Sequence, residues 1–300
     1  ADVPDDIDVL FLQGGASLQF AMLPANLRGD GQTADYIISG HWSQKAIEAA
    51  RTNGLVHVAA SSEDSGFRRL PDNPVSSTQP AYLHYTSNNT IAGTQFSAPP
   101  PAPDNIPLVC DASSDLFSRP LDLNLHDLVY AGVQKNLGPA GLTVVLIRRQ
   151  LLDRAPHTLP AILRYQAHAD AGSLYHTPPV FSIFVTELVL RWLEEQGGLQ
   201  VMAQRNRAQA DRLYDRIDAS TVLEGLVDRE ARSLMNVVFS AGSPAADTRF
   251  LALCQQAGVV GLRGHRSVGG LRASLYNAQP EAAVDRLLEV IDAFEAETSG

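Results

Sequence analysis

The chain has 300 residues, 45% of them hydrophobic and 19% charged, with a formal net charge of -10 at pH 7. This length and apolar content suit one large or two smaller folded domains and exclude a disordered chain. The acidic balance argues against a nucleic-acid surface, which needs clustered Lys and Arg. The one local basic cluster, Arg263, His265, Arg266 and Arg272, suits a small anionic ligand instead.

Taken in chain order, the acidic, turn-like start gives way to Val9-Leu10-Phe11-Leu12, a short buried strand, then a Gly14-Gly15 turn, then helical apolar spacing from Leu18 to Leu27. A strand, glycine turn and helix in this order aim backbone N–H groups and a helix dipole at a phosphate, although most such turns bind nothing. Further strands are expected at Ala34–Ile38, Leu55–Ala60, Ala81–Tyr85, Ile106–Cys110 and Leu142–Ile147, with a helix from His41 to Thr52. Strands alternating with helices argue for an α/β fold with a mostly parallel sheet. The run Ala98–Pro103 carries four prolines and reads as a surface connection.

From Pro179 onward the texture changes. Phe181 to Gln196 has helical apolar spacing and stops at Gly197-Gly198, and a more polar helix continues from Leu199 to Ile217. A strand at Met235–Ser240, a helix at Ala246–Ala257, the segment Arg272–Tyr276 and an amphipathic helix at Glu281–Ala296 complete the chain. The expected division is a large domain over 1–198 and a smaller α/β domain over 199–300. Cys110 and Cys254 are too few and too far apart for a disulfide framework or a zinc site, and His57, His126, His157 and His168 lack metal-ligand spacing. The cysteines read as free thiols of a reducing compartment. No apolar run is long enough to span a bilayer and the start lacks a signal-peptide pattern, so the expected location is the cytoplasm.

The stretch Tyr130 to Leu142 places one lysine, Lys135, among small and glycine-bounded residues, downstream of the apolar run Pro107–Asp111, which ends in an acid. A lysine held this way loses its proton more easily and can form a Schiff base with a carbonyl. An aspartate ending a buried strand can keep a pyridinium protonated, which makes pyridoxal phosphate (PLP) an electron sink. The ordinary alternative is a surface lysine in a Gly-rich turn and an aspartate capping a helix.

Four motifs, in order along nearly the whole chain, resemble those of phosphoserine aminotransferases. They are His84–Ile91, Asp111–Ser114 leading to Ser118-Arg119-Pro120, Gln134–Leu142, and Gly264–Ser274 with Tyr276-Asn277-Ala278. The resemblance implies a fold-type-I PLP-dependent aminotransferase: a mostly parallel seven-stranded sheet, a smaller C-terminal α/β domain, and a homodimer. It implies amino transfer from glutamate to 3-phosphohydroxypyruvate, giving O-phosphoserine in serine biosynthesis, with a related four-carbon substrate on the route to pyridoxine. Carried over position by position, Lys135 would hold the cofactor and move the proton, and Asp111 would face the pyridinium. Trp42 would stack on the ring and Thr90 would lie beside it. Ala16, Ser17 and Gln134 would cup the phosphate. His176 and Thr177 would reach the partner's cofactor phosphate, with His176 standing where relatives have asparagine. Arg272 would grip the substrate α-carboxylate as a bidentate pair, with His265 and Arg266 facing the phosphate or the glutamate side chain.

The family's usual N-terminal segment, which carries a His-Arg pair contributing to substrate phosphate recognition, has no counterpart in the given sequence. Its loss is expected to leave the cofactor cradle intact, thin the substrate lid and expose apolar surface. Two other readings therefore stand beside the first. One is a related PLP enzyme acting on small unphosphorylated 2-oxo acids. The other is a PLP-binding remnant without turnover.

Overall fold

The computed structural model describes residues 3–266 and 268–299. The first part of the chain forms β1 (Ile7–Leu12), α1 (Gly15–Leu27), β2 (Thr33–Ile38), α2 (His41–Arg51), β3 (Val56–Ser61) and β4 (Pro80–Thr86). It continues with the two-residue strands β5 (Asn88–Asn89) and β6 (Thr94–Gln95), then β7 (Leu108–Asp111), β8 (Leu128–Gly132) and β9 (Thr143–Arg148). After α3 (Tyr165–Asp170) and α4 (Val180–Glu195) come α5 (Gly198–Asp218), β10 (Glu224–Gly225), β11 (Asn236–Ser240), α6 (Pro244–Gln256), β12 (Leu271–Ser274) and α7 (Glu281–Ser299).

Seven strands form one sheet in the order β1-β9-β8-β7-β4-β2-β3. β9 runs antiparallel to β1 and β8, and the other neighbours are parallel. Side chains alternate between two buried faces, as a sheet covered on both sides requires. Tyr36, Tyr82, Val109 and Tyr130 pack under Phe20, Leu23 and Leu27 of α1 and Ala46, Ile47 and Ala50 of α2. Ile37, Leu83, Cys110 and Val129 face the opposite way, with Ile183 and Leu190 of α4 against that layer.

Several polar atoms buried on the α1 side pair with one another. The Tyr36 and Tyr82 hydroxyls lie 2.6 Å apart, Tyr165 donates to Gln19 Oε1 at 2.6 Å, and His84 Nε2 sits 2.9 Å from the Tyr130 hydroxyl. Burial pushes the His84 pKa down to about 3, so its ring is neutral.

β5 and β6 pair as a two-stranded antiparallel ribbon, and the last three strands make a separate antiparallel sheet, β10-β11-β12. Its core joins Val237, Phe239 and Leu271 to Leu213 of α5, Phe250 of α6 and Ile291 of α7. Six of the seven large-sheet strands lie where the apolar runs indicate. β8 and the six-residue α3 were not anticipated. β8 is only five residues, ends in Ala131-Gly132, and is buried at every position. Its pattern therefore has no alternation to read.

Candidate active site

Carboxyl ends of the parallel strands converge on one cavity, the place where open α/β sheets bind ligands. The turn after β1 contributes Gly15, Ala16 and Ser17, and the start of α2 contributes Trp42. Thr86 comes from the end of β4 and Asn88 from β5 just after it, Asp111, Ser113 and Ser114 from the end of β7 and the turn beyond it, and Gln134 and Lys135 from the turn after β8. Gly14, at φ +87°, makes the tight left-handed turn that starts α1 at the cavity. Leu18 N–H is bonded to Gly14 O, which leaves the preceding N–H groups at the helix start for a ligand.

Lys135 Nζ donates to Thr90 Oγ1 at 2.7 Å and lies 5.6 Å from the Trp42 ring centroid. Arg272, on β12, donates to the Thr90 carbonyl at 3.2 Å, so Thr90 ties the lysine of one sheet to the arginine of the other. Asp111 accepts from Ser113 N–H at 3.0 Å. Burial pushes the Lys135 pKa down. Asp111 pulls it back up, Arg272 adds to the lowering, and Asp115 opposes it. Asp111 is pushed up by burial, against the Ser113 hydrogen bonds and Lys135. Burial thus disfavours the charged form of both groups, and each charge favours the other's ionisation.

The structure brings Ala16, Ser17, Trp42, Thr90, Asp111, Gln134, Lys135 and Arg272 to this end of the sheet. His265 lies at its edge, its ring 6.0 Å from His41, and Arg266 is exposed in the same turn. His176 and Thr177 do not line this chain's cavity. Gln13 donates to the Thr177 carbonyl at 3.0 Å, and the His176 ring lies 5.7 Å from His168.

A buried network went unread in the sequence. Asn88 Nδ2 donates to Ser114 Oγ and to Asn236 Oδ1, both at 2.8 Å, while its Oδ1 accepts from Ser233 Oγ at 2.5 Å. Asn236 donates in turn to Ser274 Oγ on β12 at 3.1 Å. Position at a strand's carboxyl end was the available signal for Thr86, Asn88, Ser113 and Ser114. Their partners in the second sheet left none.

The donor set fits PLP. Trp42 Nε1 and Thr86 Oγ1 are buried without a protein partner. The cavity also combines a primary amine, a carboxylate and the N–H groups of a helix start.

A lysine and an aspartate at the carboxyl ends of a seven-stranded sheet, beside a small C-terminal sheet, define a fold-type-I PLP-dependent transferase. Residues 2–287 match the family model of class-V aminotransferases. Phosphoserine aminotransferase of Desulfatibacillum aliphaticivorans is 48% identical over 293 residues, covering 97% of this chain and 81% of that protein. The solved phosphoserine aminotransferase of Bacillus circulans subsp. alkalophilus superposes with a TM-score of 0.96 at 48% identity, covering 98% of this chain and 82% of that one. PLP-bound phosphoserine aminotransferase from Trichomonas vaginalis gives 0.92 at 35%, covering 97% and 83%. The chain belongs to the class-V aminotransferase family.

Proposed function

We propose that this protein is a phosphoserine aminotransferase of serine biosynthesis, moving an amino group from glutamate to 3-phosphohydroxypyruvate. The observation that carries this reading is the convergence of Lys135, Asp111 and Arg272 on one site, in a chain 48% identical to phosphoserine aminotransferases over 97% of its length. Bound PLP supplies an electron sink for the substrate's Cα–H bond. Lys135 would hold the cofactor and move the Cα proton, and burial, which lowers its pKa, favours the neutral amine that this role needs. Asp111, buried at a strand end, keeps a cationic ring nitrogen favourable. Trp42 covers one side of the site, and Thr90 orients Lys135. Ala16, Ser17 and Gln134 bind the cofactor phosphate, using backbone N–H groups at the start of α1 and side-chain donors.

Arg272 receives the substrate α-carboxylate, with its Nε buried and unpartnered in the protein. His265 and Arg266 take the phosphate or the glutamate side chain. The working unit is a homodimer in which His176 and Thr177 reach the partner's cofactor phosphate. Support comes from their absence from the lining of this chain's own cavity and from the exposed apolar residues Val180, Phe181, Phe184 and Leu188 on α4, the helix that follows them. Residues 1–198 form the cofactor domain and 199–300 the smaller one, each with its own sheet and core. Among the described residues no helix is long and apolar enough to cross a membrane. A cytoplasmic location rests on the two free cysteines.

Absorbance of the PLP-loaded protein tests the reading. O-phosphoserine alone, without a keto acid, is expected to convert the cofactor band to its amine form. Conversion by alanine or glutamate but not by phosphoserine would refute it.

A further inference from the structure

Two histidines distant in sequence face each other beside the active site. His41 opens α2, and its ring packs edge-on to Trp42 at 5.2 Å and 77°. The His265 ring, from the turn before β12, lies 6.0 Å away at a tilt of 38°. Both residues are partly exposed. The charged groups nearest His41 on its own helix are Lys45 and Glu48. Burial, Lys45 and His265 lower the His41 pKa, and Glu48 opposes them. The first turn of α2 contains no acid, so the positive end of its dipole is uncancelled there. Two imidazoles so placed repel once both are protonated. An oxyanion accepting from both converts that repulsion into attraction.

We propose that His41 and His265 together form a two-imidazole clamp for the phosphate of the phosphorylated substrate, making His41 a specificity-determining residue. The inference rests on the phosphoserine reading given above. A phosphate monoester carries more than one negative charge near neutral pH and three terminal oxygens, so it accepts from both rings at once. The glutamate side chain carries one charge and two oxygens. Loss of His41 therefore falls mainly on the phosphorylated partner. Edge-on packing against Trp42 holds the ring in place, which lowers the ordering cost of binding.

The test is a titration of the PLP-loaded protein, unsubstituted and as His41→Phe and His41→Gln, with O-phosphoserine and separately with glutamate, followed by cofactor absorbance. His41→Phe keeps the ring against Trp42 but removes both nitrogens. It is expected to raise the half-saturating phosphoserine concentration about tenfold, with glutamate changed less than about twofold. His41→Gln, which keeps a donor, recovers part of the loss. Calorimetry with inorganic phosphate is expected to show weaker binding to His41→Phe. Equal shifts for the two donors, or unchanged phosphoserine and phosphate binding, would overturn the clamp alone. No response of the unsubstituted protein to either donor would overturn the functional reading and the clamp with it.

Discussion

Replacing Asn88 with alanine tests whether one buried amide keeps the two sheets in register across the site. Asn88 and Asn236 are 1% and 0% exposed, so water does not readily replace what is lost. In Asn88→Ala, Asn236 Oδ1 loses its donor and Ser233 Oγ loses its acceptor, while Ser114 still donates to the Asn88 carbonyl at 2.9 Å. Two orphaned buried groups at about 1–3 kcal/mol each give a destabilisation of about 4 kcal/mol. With a denaturant slope of about 2–3 kcal/mol per M, the urea midpoint followed by circular dichroism should fall by about 1.5–2 M. Asn236 lies on β11, which pairs with the Arg272 strand, so the half-saturating concentrations of both amino donors should rise as well. Lys45→Ala serves as the control. It removes an ion pair at 2.7 Å whose side chains are about half exposed, and it should cost no more than about 0.5 kcal/mol. An Asn88→Ala midpoint within about 0.3 M of the parent would refute the claim that this network holds the halves together.

Three further outcomes are expected. Lys135→Ala should abolish the cofactor's lysine-linked absorbance band and lower transamination by about 10²–10⁴-fold, read by stopped-flow absorbance. Glu295 is held down to about 2 by the Thr221 N–H, Arg216 and the Ser220 and Thr221 hydroxyls. Its contribution is therefore fully present above its ordinary value of 4.5 and is lost as the pH falls toward about 2. Glu295→Gln should flatten the acid limb of a stability profile measured from pH 6 downward, and an unchanged limb would contradict the assignment. Burial raises the Cys254 thiol to about 11 and also raises Cys110, so a disulfide reagent at pH 8 should label neither until the protein is unfolded.

Much of the fold was legible because its strands are short apolar runs punctuated by glycine, proline and acid. Val9–Leu12 and Leu142–Ile147 fall within one or two residues of β1 and β9. β8 escaped because a strand buried on both faces has no period, and its end merges with the lysine turn. Lys135, Asp111 and Arg272 stood out as residue types whose chemistry is costly to bury, set in recognisable motifs. Asn88 sat inside one of those motifs with no role assigned, because an asparagine's value depends on which donors and acceptors surround it.

The sequence by itself determined which groups the chain can deploy: an amine, a carboxylate, a guanidinium, a glycine-led helix start, and the alternation of strands and helices that sets them at loop positions. Those are local properties, written in residue type and spacing. Tertiary structure alone decided that Thr90 joins Lys135 to Arg272, that Asn88 ties Ser114 to Asn236, and that His41 faces His265. These contacts join residues far apart in the chain. Strand order in the sheet and the packing of the second sheet against it determine them, and no local pattern encodes that order.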